Sequence, residues 1–433
     1  MNGYKETAEF VLGLAKEKGA QKAFCYVLEG EKREFNVDGN EFSLFRTLFT
    51  RSVSITVFVE QRKGSVSINK FDKEEIAAAV ENCIESAKSA MPDEAWEIAP
   101  FIGKKEFNGG VLTPDTDKLF FRAKELLENI KEKHPAVITE QMIVDYKSQK
   151  GVYMSTEGNE YYINNGSYSA SLMYSAHEGE KSTSFYSSDV TVDNLDKPFI
   201  ECAMIEKELS DIEKQIHTKP TEGKFEGRVI FAPNCVANTV FGNVCSNFAG
   251  DSAMLEGTSV WKDKLGETIA DKRITVSFKP RDSRIINGQR FTGEGYLAED
   301  YDLIKDGVLQ SFMISQYVAN KTGNKRAPNT SWDMVIEGGT TPLAEMIKNV
   351  KKGVLIGRFS GGSPGANGEF SGVAKNGFMI ENGEIVSALS ETMISGNLAD
   401  MLFNLVDISK ETLEDGGMVM PYMSFDGITI SGK

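Results

Sequence analysis

Residues 368–402 read GEFSGVAKNGFMIENGEIVSALSETMISGNLADML. Two strand-like runs, 377–381 and 384–389, flank Asn382-Gly383. An Asn-Gly step between such runs is the strongest short-range hairpin signal, because both turn positions need positive φ. A glycine-dense loop, residues 361–372, precedes the hairpin. After it, ETMISGNLADML reads as a strand that ends at Ser395-Gly396-Asn397 and opens a helix. The glycines do not form a nucleotide loop: no Gly-Lys-Ser/Thr follows them, and Gly293-Glu294-Gly295 is not the start of a GxGxxG.

Working outward, the second half of the chain is mostly β. RITVSFKP is strand-like, and Asp306-Gly307 marks a further hairpin. One early helix stands out, with Val236, Val240, Val244 and Phe248 recurring four residues apart and facing a core. The first half opens with a helix near 4–18, then strands at 23–28 and 34–37 separated by a polar turn. SVSITVFVE, an Arg62-Lys63-Gly64 turn and SVSIN follow as a hairpin. Asp72 and Glu75 suggest a capping box for a helix over 73–90. Thr113-Pro114-Asp115 opens a helix over 115–133 with Leu119, Phe120, Ala123, Leu126, Leu127 and Ile130 on one face, stopped by Pro135. Three strand-rich segments span 136–192, and a helix near 199–215 closes this half. The polar segment 217–227 reads as the linker.

The expected class is α+β: an N-terminal region of antiparallel strands and long helices, and a C-terminal, mostly antiparallel β domain with one early helix. The expected domains are 1–218, with subsegments 1–100 and 113–218, and 226–433.

Net charge is −15, from 48 basic and 63 acidic residues, which disfavours contact with a phosphate backbone. No run reaches the roughly 18 apolar residues of a membrane helix. MNGYKETAEFVLGLAKEKG reads as an amphipathic helix rather than a signal peptide, and five cysteines without a CxxC suit a reducing compartment. The expectation is a cytoplasmic protein with no direct nucleic-acid or membrane contact.

The loop, hairpin, "ENGEI" and "SGN" closely resemble the C-terminal signature of the TldD/PmbA family, described both as modulators of DNA gyrase and as zinc metallopeptidases. One kind of member carries a zinc-binding HExxxH and the other does not. The resemblance places that motif on the early helix, so that its first His falls on Phe241, its Glu on Gly242 and its second His on Ser246. The cysteine that zinc-bearing members use near the C-terminus is also missing, since no cysteine follows Cys245. The chain therefore resembles the PmbA-type subunit, also called TldE. No catalytic residue and no metal ligand is expected in it, and zinc is expected only in a TldD-like partner. The resemblance further implies a homodimer when the chain is alone, unfolded or modified peptides as substrates, and a substrate passage lined by the glycine-rich loop through Asn367, Glu369 and Ser371.

The remaining residues offer no substitute site. The only His-Glu pair, His177-Glu178, has Lys181 and Ser182 where a second zinc histidine would stand, and reads as an exposed strand end. Cys235 and Cys245 are about three helical turns apart, too far to share an ion. Ser259 and Ser371 lack a GxSxG context. Glu294 and Asp300 read as a solvated face, and Arg281-Asp282 as a corner salt bridge. Two alternatives stay open: a non-enzymatic regulator that binds gyrase or another protein, and an independent hydrolase with an unrecognised site.

Overall fold

The computed structural model describes residues 3–362 and 364–432 and contains two large sheets. The first is eight-stranded and built around four long antiparallel strands, Lys22–Asp38, Glu41–Val59, Val137–Ser155 and Glu160–Glu178. Arg62–Ile68 pairs at one edge, and Lys104–Gly110, unread in the sequence, pairs parallel to residues 160–166 at the other. One face is covered by helices. Tyr4–Glu17 and Lys73–Ser89 bury Val11, Ile76 and Ile84 against Val27, Ile55 and Val152. Thr116–Lys133 and Ile205–Glu213 bury Leu126, Ile130 and Leu209 against Met142, Val144 and Leu172.

Several local expectations change. Residues 22–38 form one strand, because the polar stretch expected to turn is paired on both sides, by 41–59 and by 137–155. The hairpin turn falls at Glu60-Gln61 (φ 49° and 62°), not at Arg62-Lys63-Gly64. Gly64 serves packing instead: a Cβ there would lie 2.2 Å from the Cys83 carbonyl oxygen of the covering helix. Asp72 precedes its helix but makes no side-chain cap bond, and Glu75 pairs with Lys70. Asp115 does cap, accepting from the Lys118 amide at 2.9 Å. Phe120 lies outside the buried stripe of its helix, against Phe35, Phe42 and Phe45. The expected linker enters the second sheet, where Thr218–Pro220 pairs with residues 388–390 and Lys224–Phe231 is a strand.

The second sheet has twelve strands, and five of them close on themselves. Lys224–Phe231, Lys352–Gly362, Glu369–Glu381, Thr392–Asn397 and Val419–Ser431 each pair with the next, and the last returns to the first. The predicted Asn382-Gly383 turn (φ 50° and 83°) and Asp306-Gly307 turn (φ 49° and 76°) both form. The early helix runs over 233–249, with i→i+5 bonded stretches at Val236–Phe241 and Cys245–Ala249. Val236, Val240, Val244 and Phe248 all enter the main core, as their spacing predicts.

The uncovered face of the first sheet docks on residues 291–295 through tyrosines. Tyr26 donates to the carbonyls of Thr292 (3.2 Å) and Gly293 (3.1 Å). Tyr153 donates to Glu294 (3.1 Å) and Tyr161 to Gly295 (3.0 Å). Phe291 sits among the three rings. This turn can approach only because residue 295 is glycine. It holds φ +92°, and a Cβ would stand 2.3 Å from the Tyr153 hydroxyl. At Gly293 an added Cβ meets nothing within 4 Å. Gly295→Ala is expected to lower stability by about 2–4 kcal/mol through strain and a displaced hydrogen bond. Gly293→Ala is expected to stay within about 1 kcal/mol of the wild type. Urea unfolding of both variants checks this, and equal midpoints would remove the tyrosine dock from the account.

Candidate functional site

The two groups of residues singled out in the sequence meet at one place. The C-terminal end of the helix 233–249 abuts the loop between Lys352–Gly362 and Glu369–Glu381. The Asn247 amide donates to the Pro364 carbonyl at 3.2 Å. Gly368 (φ +85°) lies against the Phe248 ring, which an added Cβ would approach to 3.0 Å. Asn397 braces the loop from the other side. Its Nδ2 donates to the Asn367 carbonyl at 2.8 Å, while its Oδ1 caps the helix Leu398–Met401 by accepting from the Ala399 amide (3.0 Å) and the Asp400 amide (3.3 Å). The Ser-Gly-Asn signature is thus a brace and an N-cap in one residue. The sequence marks Asn397 as a helix start. Nothing in it marks the cross-chain bond to residue 367, or the contact from Asn247.

The loop is shorter than the run of glycines suggests, because residues 361 and 362 pair with 372 and 371 as strand. Ser363, part of the expected loop, lies outside the described residues. Asn367, Glu369 and Ser371 are exposed, and Glu369 and Ser371 stand on one side of their strand while Phe370 and Gly372 point inward. These residues make a short polar rail beside the helix end.

The three helix positions to which the resemblance assigns a zinc motif offer no ligand set. Phe241 is fully buried in the core. Gly242 has no side chain, and a Cβ there would stand 3.0 Å from the Ala237 carbonyl oxygen. Ser246 is exposed. These three positions offer one hydroxyl, no imidazole and no carboxylate, so they do not fit zinc. Among the described residues no group of three His, Cys, Asp or Glu is placed to hold a metal ion. Burial pushes the Cys235 thiol up to about 12 and the Cys245 thiol higher still, which keeps both protonated.

The other candidates take structural roles. His177 is half-buried rather than exposed and contacts the Ser175 hydroxyl at 2.8 Å. His134 contacts Glu213 at 3.0 Å, and His217 contacts Glu178. Ser259 is buried, donates to the Phe248 carbonyl and accepts from the Trp261 amide. Asp300 accepts from the Arg281 amide, and Asp282 pairs with Arg284 rather than with Arg281.

One half-buried acid lies beside the start of the helix 233–249. Glu208 accepts from Tyr186 (3.3 Å), Ser188 (2.5 Å) and Asn234 (3.3 Å), and so joins the first domain to the second. Burial pushes its carboxyl up from 4.5 to about 7. Between those values the folded chain keeps a proton that an unfolded glutamate has released. Stability from this group is therefore full below about pH 4.5, falls as pH rises, and levels above about 7. Glu208→Gln stays neutral throughout. It is expected to match the wild type near pH 4.5 and to exceed it by about 2–3 kcal/mol at pH 8. Urea unfolding at both values checks this, and parallel pH profiles would exclude Glu208 as the titrating group.

The fold and both halves of the sequence have relatives. The family described as the PmbA/TldA metallopeptidase C-terminal domain matches residues 223–432, and PmbA/TldA metallopeptidase domain 1 matches residues 23–87. The metalloprotease PmbA of Escherichia coli O157:H7 is 26% identical, over 92% of this chain and 88% of that one. TldE from Thermococcus kodakarensis has a TM-score of 0.82 at 20% identity, covering 98% of this chain and 99% of that one. A Bacteroides thetaiotaomicron structure named for modulation of DNA gyrase has a TM-score of 0.84 at 23% identity, with 99% of each chain covered.

Proposed function

The chain belongs to the PmbA/TldD family of metallopeptidases, and from that premise we propose that it is a PmbA/TldE-type subunit without catalytic residues of its own. The observation that carries this reading is the identity of Phe241, Gly242 and Ser246 on an otherwise well-packed helix, with Phe241 buried in the core and Ser246 exposed. The partner is a TldD-like homologue that holds zinc and performs the hydrolysis. The substrates are unfolded or modified peptides. This chain shapes the passage to the partner's metal, with Asn367, Glu369 and Ser371 along the way. It acts in the cytoplasm and pairs with itself when the partner is absent.

The test is zinc content and peptidase activity of the purified chain, alone and after co-purification with a TldD-like homologue. The chain alone is expected to hold well below one equivalent of zinc and to leave an unfolded peptide intact. The pair is expected to hold zinc and to cleave the peptide in a chelator-sensitive way. A full equivalent of zinc with turnover by the chain alone would overturn the proposal. Binding to gyrase with no association to the homologue would favour a regulator instead.

A further inference from the structure

The outer edge of the strand Glu41–Val59 is paired only in part. Arg62–Ile68 covers residues 53–59, and among the described residues no strand pairs along 44–52. This free edge is about 30 Å long at the usual rise of a strand. Both of its faces are open, since residues 43–51 are all exposed. Phe49 is 77% exposed and Phe45 55%, with Leu44 and Leu48 at 38% each. Folded proteins blunt such edges with lysine, proline, an early bulge or a covering loop, because a bare apolar edge recruits another strand. Residues 44–51 contain no lysine and no proline, and the bulge at Ser43 only ends the run. Both of its charges are already paired, Arg46 with the buried Glu34 and Arg51 with Glu29.

We propose that residues 44–50 form a self-complementary seam through which two copies of this chain join their long sheets into one. The proposal rests on the pairing of like chains proposed above and gives it a location. A two-fold axis perpendicular to the sheet keeps each face continuous only when the axis passes through a residue, so that side chains of one face meet their own kind. An axis through Arg46 would set two arginines against each other. An axis through Thr47 instead places Phe45 against Phe49 twice, Leu44 against Thr50, and Arg46 beside Leu48. Thr47 then meets its own copy. Aromatic pairs and threonine pairs are favourable cross-strand neighbours. The Phe45–Phe49 pairs would also extend the aromatic group already formed by Phe35, Phe42, Phe45 and Phe120.

Light-scattering mass and a cross-link test this. The wild type is expected at twice 47.7 kDa, and Thr47→Lys, which sets like charges on the axis, at 47.7 kDa with its thermal melting unchanged. Thr47→Cys is expected to give a covalent dimer on mild oxidation, because directly opposed antiparallel residues stand within disulfide reach. Phe49→Cys alone is expected not to link, since it faces residue 45 of the other copy. Phe45→Cys with Phe49→Cys in one chain is expected to link. A wild-type dimer that survives Thr47→Lys and does not link through Thr47→Cys would overturn the seam and leave like-chain pairing standing. A wild type that stays at one chain at every concentration would overturn both. The zinc and peptidase measurements would then judge the subunit role separately. Protection of the edge amides that appears only with added unfolded peptide would assign the edge to peptide and overturn the seam.

Discussion

The closure of five strands into a ring is the constraint on which the second domain depends. Glu369–Glu381 does most of this work. It pairs with Lys352–Gly362 on one side, and on the other with Glu384–Ser390 along one stretch and Thr392–Asn397 along another. A strand that pairs with three others leaves little freedom of register. A slip of one residue would turn Phe370 and Ala374 out of the main core and would exchange Phe378 and Met379 between the two cores that flank the other end of the strand. The two-residue turn at Asn382-Gly383 fixes that register at one end, and the loop braced by Asn397 fixes it at the other.

The helix 233–249 is held by the same ring. It leaves the ring strand Lys224–Phe231, and Val236, Phe241, Val244 and Phe248 fill the interior beside Val229, Ile356 and Phe425. Phe241 is therefore fixed by packing. Removing a fully buried phenylalanine typically costs about 3–5 kcal/mol, and a histidine there would bury a polar ring among apolar side chains. At Gly242, a side chain would have to displace the Ala237 carbonyl. Of the three positions to which the resemblance assigns a zinc motif, Phe241 is here committed to holding the core together.

Much of this architecture was legible in the sequence, and what was not has physical causes. Hairpins at 306–307 and 382–383 could be read because positive φ restricts turn residues to a few types. The amphipathic helices could be read from their period, down to Leu119, Ala123, Leu126, Leu127 and Ile130. The strand 22–38 reads as two in sequence, because its polar middle is stabilised by neighbours more than a hundred residues away at 137–155. The strand 104–110 leaves no signal in sequence for a similar reason: its short glycine-ended segment becomes a strand only beside residues 160–166. The positions of Phe241, Gly242, Ser246, Asn367, Glu369 and Ser371 could be named from the resemblance. The contact of the helix end at Asn247 and Phe248 with the loop could not, because it and the brace from Asn397 run through backbone carbonyls at Pro364 and Asn367 that carry no sequence signal.

The C-terminal signature thus has a structural explanation that needs no catalysis. Asn382 and Gly383 supply the turn, Gly368 admits the Phe248 ring, and Asn397 caps a helix while holding the loop. Each of these requirements applies equally to a chain that holds zinc and to one that does not. A signature of this kind reports the scaffold. Under the proposed reading, what separates an enzyme from its partner is a small set of helix positions, which in this chain hold a core ring, a glycine and a solvent-facing hydroxyl.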